Sequence, residues 1–251
     1  MGTLSADYED KVAIVKLSRG VTNALDLELV NQLGALLEQI EHDSSVSALV
    51  LGSGNVKFFS IGFDIPHLFE LPRQAFETFY AAFNRVCQSL YTLPKPTVAA
   101  ITGHAIAGGC ILALCCDYRF IAEGKKLMGL NEIKLGVPVP YLADCMLRNI
   151  VGTRYARDML DSGEFYAPAD SLRMGLVDQV LPAGDVMARA VEKAGLLGAL
   201  PPEAFALIKR NRVEQVEQRV LARREEKERL FVDGWYSGEA RRRLKQAIVK
   251  F

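Results

Sequence analysis

The segment from Thr97 to Ile121 constrains this chain more than any other. It opens as a β-branched apolar run, Thr97–Ile101, bounded by Pro94 and Pro96, which is the composition of a buried strand. The run breaks at Gly103 and passes through Ala105-Ile-Ala-Gly-Gly109, residues with almost no side chain. Cys110 to Leu114 then suits a buried helix, and Tyr118 to Ala122 a further strand. A strand that turns through small residues into a helix leaves unpaired N–H groups at the helix start. A ligand oxygen can approach such donors closely, and the place favours negative charge, on a phosphate or on an enolate. Taken alone, the stretch fits that reading and also a plain packing turn.

The remaining sequence narrows the choice. At 251 residues, half of them hydrophobic, the chain can bury a large core. Its 30 basic and 30 acidic residues cancel, so overall charge offers no support for nucleic-acid binding. No apolar run is long enough to span a bilayer, and the first residues show no basic stretch followed by an apolar one, so no secretory leader is expected. The C-terminal tripeptide Val249-Lys-Phe251 is neither a peroxisomal nor an ER-retention signal. The five cysteines lack metal-like spacing and read as reduced core residues, which implies the cytoplasm or an organelle matrix such as that of mitochondria.

In order, Val12–Leu17 reads as a strand, 26–41 as an amphipathic helix and Ser47–Leu51 as a buried strand, a spacing that implies a parallel α/β crossover. Gly52–Pro66 reads as a loop and 72–91 as a helix. After the central stretch come a short strand at Lys126–Met128 and a turn-rich loop, 129–140, carrying the single acid Glu132. Helices follow at 141–150, 154–161 and 168–174, a strand at Leu176–Leu181 and a helix at 185–199. From Glu203 to Arg229 charges of both signs surround a narrow stripe of Ala206, Leu207, Val213, Val216, Val220 and Leu230. Phe231, Trp235 and Tyr236 read as an exposed aromatic knot before a last helix at about 238–250, a tail suited to pack on a second subunit.

Dinucleotide, P-loop and nucleophile-elbow motifs are missing, and His42, His67 and His104 have no ligand spacing, so no metal site is expected. His104 reads as structural. Two N–H-rich turns, 60–64 and 105–109, and Glu132 remain as the chemistry-bearing elements.

These elements carry a resemblance. Phe58-Phe-Ser-Ile-Gly-Phe-Asp-Ile65, Ala100-Ile-Thr-Gly-His-Ala-Ile-Ala-Gly-Gly-Cys110, Cys116-Asp-Tyr-Arg119 and Gly129-Leu-Asn-Glu-Ile-Lys-Leu-Gly136 resemble, in order, the crotonase (enoyl-CoA hydratase/isomerase) superfamily. Ala167-Pro-Ala-Asp170 and Met174–Val180 extend the match over most of residues 10–182. The resemblance implies an α/β fold: a ββα spiral core with the acyl-CoA site over 1–200, and a C-terminal α-helical trimerisation region over 201–251. It implies a homotrimer or dimer of trimers acting on acyl-CoA thioesters, with no cofactor beyond the CoA of the substrate and no nucleic-acid or membrane partner. By motif position, the N–H groups of Ile61 and Gly108 would form an oxyanion hole, and Ser60, Ile61, Gly62, Phe63 and Asp64 would line the CoA and thioester path.

Hydratases resembling this chain use two glutamates. The first position is Ile111 here; the second is Glu132. Water addition needs both a base and an acid, whereas one carboxylate can move a proton from C2 to C4 of a 3-enoyl thioester. The wording around Glu132 is most similar to mitochondrial-type 3,2-enoyl-CoA isomerases, which makes Glu132 the expected acid/base in fatty-acid β-oxidation. Asn131, beside Glu132, reads as a turn residue ahead of one that orients the acid, and Val137-Pro-Val-Pro140 departs from the glycine-rich turn of hydratases. The alternatives are another crotonase-type hydratase, decarboxylase or thioesterase, or a non-catalytic acyl-CoA- or RNA-binding member using helix 203–229.

Overall fold

Buried β-branched runs become one large sheet, and segments too short to show any periodicity become a second. The computed structural model describes residues 2–249. The chain opens with β1 (Leu4–Glu9) and β2 (Val12–Leu17), an antiparallel pair. It continues through α1 (Leu27–His42), whose N-cap Asp26 accepts the Leu29 N–H at 2.9 Å, to β3 (Ala48–Ser53). A repeating unit follows. Its first copy is β4 (Phe58–Ser60), α2 (Ile65–Phe69) and α3 (Arg73–Thr92). Its second is β5 (Thr97–Ile101), β6 (His104–Ile106) and α4 (Gly108–Leu114). Its third is β7 (Tyr118–Ala122), β8 (Met128–Gly129), a 3-10 turn over Glu132–Leu135 and α5 (Tyr141–Ser162). Then come α6 (Pro168–Arg173), β9 (Gln179–Leu181), α7 (Val186–Gly198), α8 (Pro202–Trp235) and α9 (Gly238–Ile248).

With β3 counted as the opening strand of the first copy, the first strand of each repeat joins the large sheet, β1-β2-β3-β5-β7-β9, and the second joins the small one, β4-β6-β8. All pairings beyond β1–β2 are parallel. This is the expected α/β spiral of ββα units with helices at the C-terminal end. The large sheet is covered on both faces, as parallel sheets are. Leu49, Leu51, Ala99 and Ile101 face the main core with α1, α3 and α4, whereas Val50, Val98, Ala100 and Phe120 face α7.

Several expectations are corrected. The Gly52–Pro66 loop contains β4, and the central turn contains β6. The strand expected at 126–128 is Met128–Gly129, and the one at 176–181 shortens to Gln179–Leu181. Helices 141–150 and 154–161 run together across a kink at Gly152, whose φ of 75° and ψ of 164° lie outside the helical region. Residue 250, expected to end the last helix, and Lys250–Phe251 of the terminal tripeptide lie outside the described residues.

The largest revision concerns the tail. α8 runs unbroken for 34 residues, so Phe231 and Trp235 are its last turns. They are buried in their own chain, against α3, and are not an exposed knot. Leu207 and Leu230 of the expected stripe are exposed, while Lys209 joins Val213, Val216 and Val220 on the buried line. Lys209 reaches Asp117 Oδ2 at 2.9 Å and the Lys95 carbonyl at 3.1 Å. Burial pulls its pKa down and Asp117 opposes that. Asp117 also accepts the Thr97 N–H at 2.9 Å, so one carboxylate ties α8 to the start of β5. Tyr236 donates its hydroxyl to the Leu71 carbonyl at 2.8 Å, closing the far end of α8 onto the loop after α2.

Candidate active site

The three strands of the small sheet end side by side, and the segments that leave them meet around one cavity. β4 leads to 61–64, β6 to 107–109, and β8 to 130–132. The cavity, of about 200 Å³, lies between these ends and the helices α8 and α9. Glu132 is the one ionisable side chain on its wall among the described residues; Ile111, Phe63, Val137, Phe231 and Trp235 make most of the rest apolar.

The 61–64 segment shows how backbone hydrogen bonds aim a single donor. Ile61 donates its N–H to the Thr22 carbonyl at 3.0 Å, Gly62 to Ser60 Oγ at 3.1 Å, and Asp64 to the Leu25 carbonyl at 2.9 Å. Leu25 in turn donates to the Gly62 carbonyl at 2.7 Å, so 61–64 runs as an isolated parallel bridge with Leu25. In that geometry the Phe63 N–H faces away from Leu25, and it has no acceptor among the described residues. The expectation that Ile61 is a free donor is therefore corrected: Ile61 lines the cavity, but its amide is engaged, and the open amide belongs to Phe63 two residues on.

The second open donor is Gly108. It is the first residue of α4, so its N–H has no partner within the helix. Ala107 before it adopts φ 49° and ψ −120°, a strained conformation for a residue with a Cβ. Ala107 is held there by its N–H to the Gly129 carbonyl at 2.9 Å and by its own carbonyl, which accepts from Ile111 at 2.9 Å. Gly62 and Gly108 meet back to back. A Cβ on Gly62, whose φ is 86°, would stand 2.6 Å from the Gly108 nitrogen. A Cβ on Gly109 would stand 2.2 Å from the Ser60 carbonyl oxygen. The small residues of the central stretch thus serve both of the readings first given to them: they let two chains crowd, and they leave donors open.

Other expected path residues lie behind the wall. Ser60 is fully buried and donates to the Asn23 carbonyl at 2.7 Å. Asp64 caps α2 through the His67 N–H at 3.2 Å and pairs with Arg19 at 2.8 Å, which also holds Asp26 at 2.9 Å. Their side chains shape the loop and do not line the cavity. His104 sits at the other end of β6 against the Phe58 ring, 5.3 Å away, consistent with a structural role.

Glu132 begins the 3-10 turn, which Gly136 ends in a left-handed conformation at φ 73°. It is 6% exposed, and its Oε2 has no hydrogen-bond partner among the described residues. Burial raises its pKa from near 4.5 to about 7, opposed only by a backbone hydrogen bond. Asn131 closes the turn through its backbone carbonyl, which accepts from Lys134 at 3.0 Å. Its side chain makes no cap; it stands on the cavity wall, its Oδ1 unpaired. The five cysteines are buried and free, and no group of His, Cys, Asp or Glu among the described residues could hold a metal. No helix of the described residues is long and apolar enough to cross a membrane.

Two open amides and a buried carboxylate at one cavity are groups suited to holding an oxygen on which negative charge develops and to moving a proton beside it. The sequence places the chain in a family: residues 7–246 match the model described as enoyl-CoA hydratase/isomerase, and the chain belongs to that crotonase family. It is similar to mitochondrial enoyl-CoA delta isomerase 1 of Mus musculus, with 33% identity over 85% of this chain and 74% of the relative. It is similar to a short-chain-enoyl-CoA hydratase of Clostridium acetobutylicum at 32% identity, over 81% of this chain and 78% of the relative. Among solved structures, human mitochondrial delta3-delta2-enoyl-CoA isomerase superimposes with a TM-score of 0.96 at 28% identity, covering 99% of this chain and 98% of that one.

Proposed function

We propose that this member of the family is an isomerase that converts 3-enoyl-CoA to trans-2-enoyl-CoA. The observation that carries the reading is that Glu132 stands alone: the same cavity wall carries Ile111, at the position where, by the family resemblance, a hydratase has its second carboxylate. Similarity in sequence reaches isomerases and hydratases at nearly the same level, so the reading rests on the side chains of the site.

In this reading the thioester oxygen accepts from the Phe63 and Gly108 N–H groups. Glu132 takes a proton from C2, and the electron pair of that C–H bond spreads over the dienolate to the held oxygen. The protonated Glu132 then delivers the same proton to C4 as the C2–C3 double bond forms. Each amide donor aimed at such an oxygen contributes about 3 kcal/mol to lowering the barrier. A carboxylate with a pKa near 7 suits both halves of the transfer, since it can hold the proton and release it at neutral pH. The chain's own groups suffice for these steps, with the CoA of the substrate as the only carrier. A homotrimer or dimer of trimers, and a place in β-oxidation in the mitochondrial matrix or the cytoplasm, belong to the same proposal.

The test is Glu132→Gln assayed on a panel of 3-enoyl-, 2-enoyl- and malonyl-type CoA esters. The wild type should convert the 3-enoyl ester fastest, and the variant should lose at least ~100-fold in turnover while affinity for a saturated acyl-CoA changes little. Fast hydration of the 2-enoyl ester by the wild type would move the chain to the hydratases.

A further inference from the structure

We infer that Phe231 and Trp235, near the end of α8, form a fixed end wall that limits the substrate to short acyl groups. The inference rests on the reading above only in placing the acyl group in the cavity. The two residues are 3% and 2% exposed, so the cavity does not open to solvent at these rings. At the strand ends Ile61, Ile106, Ala107 and Asn131 are partly exposed, as are Phe63, Leu135 and Ala247 elsewhere on the lining; the strand-end side, beside the two open amides, is where the thioester would enter.

The end wall is two rings deep. Phe231 stacks on Tyr80 with centroids 4.0 Å apart and planes 7° off parallel. Trp235 stacks on Phe76 at 4.5 Å and 18°. Phe63, which joins both on the cavity side, meets Phe79 and Phe83 edge-on at 4.8 and 4.9 Å. Packed rings of this kind do not swing aside without breaking several contacts at once. α8 itself is held on both sides of the wall. An Arg73–Asp233 ion pair and the Tyr236 hydroxyl bond tie it to the start of α3 and the loop before it. Pro138 packs so tightly on Gly234 that a Cβ there would stand 2.7 Å from the proline ring.

Size follows from volume. An apolar cavity of ~150 Å³ accommodates a six-carbon ring. The 200 Å³ here must take the acyl chain from its C2 onward, which sets the limit at roughly eight carbons. The lining side chains are apolar apart from Glu132, Asn131 and the Trp235 indole, so the accepted chain is a hydrocarbon.

The experiment measures kcat/KM for 3-enoyl-CoA esters of six, eight, twelve and sixteen carbons, alongside calorimetric affinities of the matching saturated acyl-CoAs. The wild type should lose at least tenfold in both quantities between eight and sixteen carbons. Phe231→Ala and Trp235→Ala should raise the sixteen-to-six ratio at least tenfold, and the milder Trp235→Leu should raise it in the same direction if an alanine variant fails to fold. Ala247→Leu, which adds bulk to the cavity from α9, should lower the eight-to-six ratio. A wild type that handles sixteen carbons within threefold of six overturns the end wall. A sharp length limit in affinity without any double-bond shift keeps the wall and overturns the isomerase reading instead.

Discussion

The two sides of the cavity are built by different physics. On one side, the ends of the small sheet present a carboxylate and backbone groups, the latter aimed by hydrogen bonds of neighbouring residues: Ile61 to Thr22, Asp64 to Leu25, Ala107 to Gly129. On the other side, α8 and α9 present rings and methyl groups held by stacking and by bonds outside the cavity. The first side must place atoms to a fraction of an ångström, because charge develops on one oxygen. The second has only to exclude volume. Chemistry and substrate range are therefore carried by separable parts of the chain, and variants can be chosen to strike one and spare the other.

The largest separation is expected from Gly62→Ala. Its methyl group would press on the Gly108 nitrogen from 2.6 Å and force a left-handed φ on alanine. Turnover should fall ~100–1,000-fold, the range for losing an oxyanion donor, while the sixteen-to-six carbon ratio stays put. A shift in that ratio would show that the two sides are not independent. Next in size is the response to pH. With Glu132 at about 7, kcat/KM should fall tenfold per pH unit below that value; a profile flat down to pH 5 would remove the raised pKa. The same shift acts on stability. Because the folded pKa lies above the unfolded value near 4.5, the folded state takes up a proton between the two. This contribution is fully present below pH 4.5 and lost as pH rises through about 7. Glu132→Gln should therefore be more stable than the wild type at pH 8, by at most about 3 kcal/mol, and denaturant titrations at pH 5 and 8 would read the difference. The smallest effect belongs to Ala107→Gly. Relief of the strained backbone should stabilise the protein by on the order of 1 kcal/mol in thermal unfolding, with the acyl-length profile unchanged.

What could be read from the residues alone follows the same division. Strands of the large sheet announce themselves as buried apolar runs, and β5 and β7 match their expected bounds, Thr97–Ile101 and Tyr118–Ala122. The small sheet is hidden, since strands of two or three residues carry no alternation to detect. β1 is hidden for another reason: its side chains are mostly exposed, and its pairing with β2 leaves no apolar pattern. Glu132 and Gly108 stood out by motif. The choice between Ile61 and Phe63 did not, because it depends on which amides Thr22 and Leu25 occupy, some forty residues upstream. For Asn131 the residues alone leave a turn, the favoured reading, beside a part in orienting Glu132, and only the cavity reveals that its side chain faces the site. Aromatics after a charged helix looked like an interface; the helix simply continues and turns them inward.

α8 carries the buried Lys209 near its start and Trp235 at its end, on one uninterrupted rod about 39 Å long between them. The angle at which such a rod is set therefore fixes where the indole stands: a sequence change that altered it by about four degrees at Asp117, with the contacts of Asp233 and Tyr236 remade to match, would move the indole by nearly 3 Å, roughly the length of two carbon–carbon bonds. Evolution or design could then retune which chains fit by editing positions remote from the reacting carbons, leaving every group that handles the proton untouched.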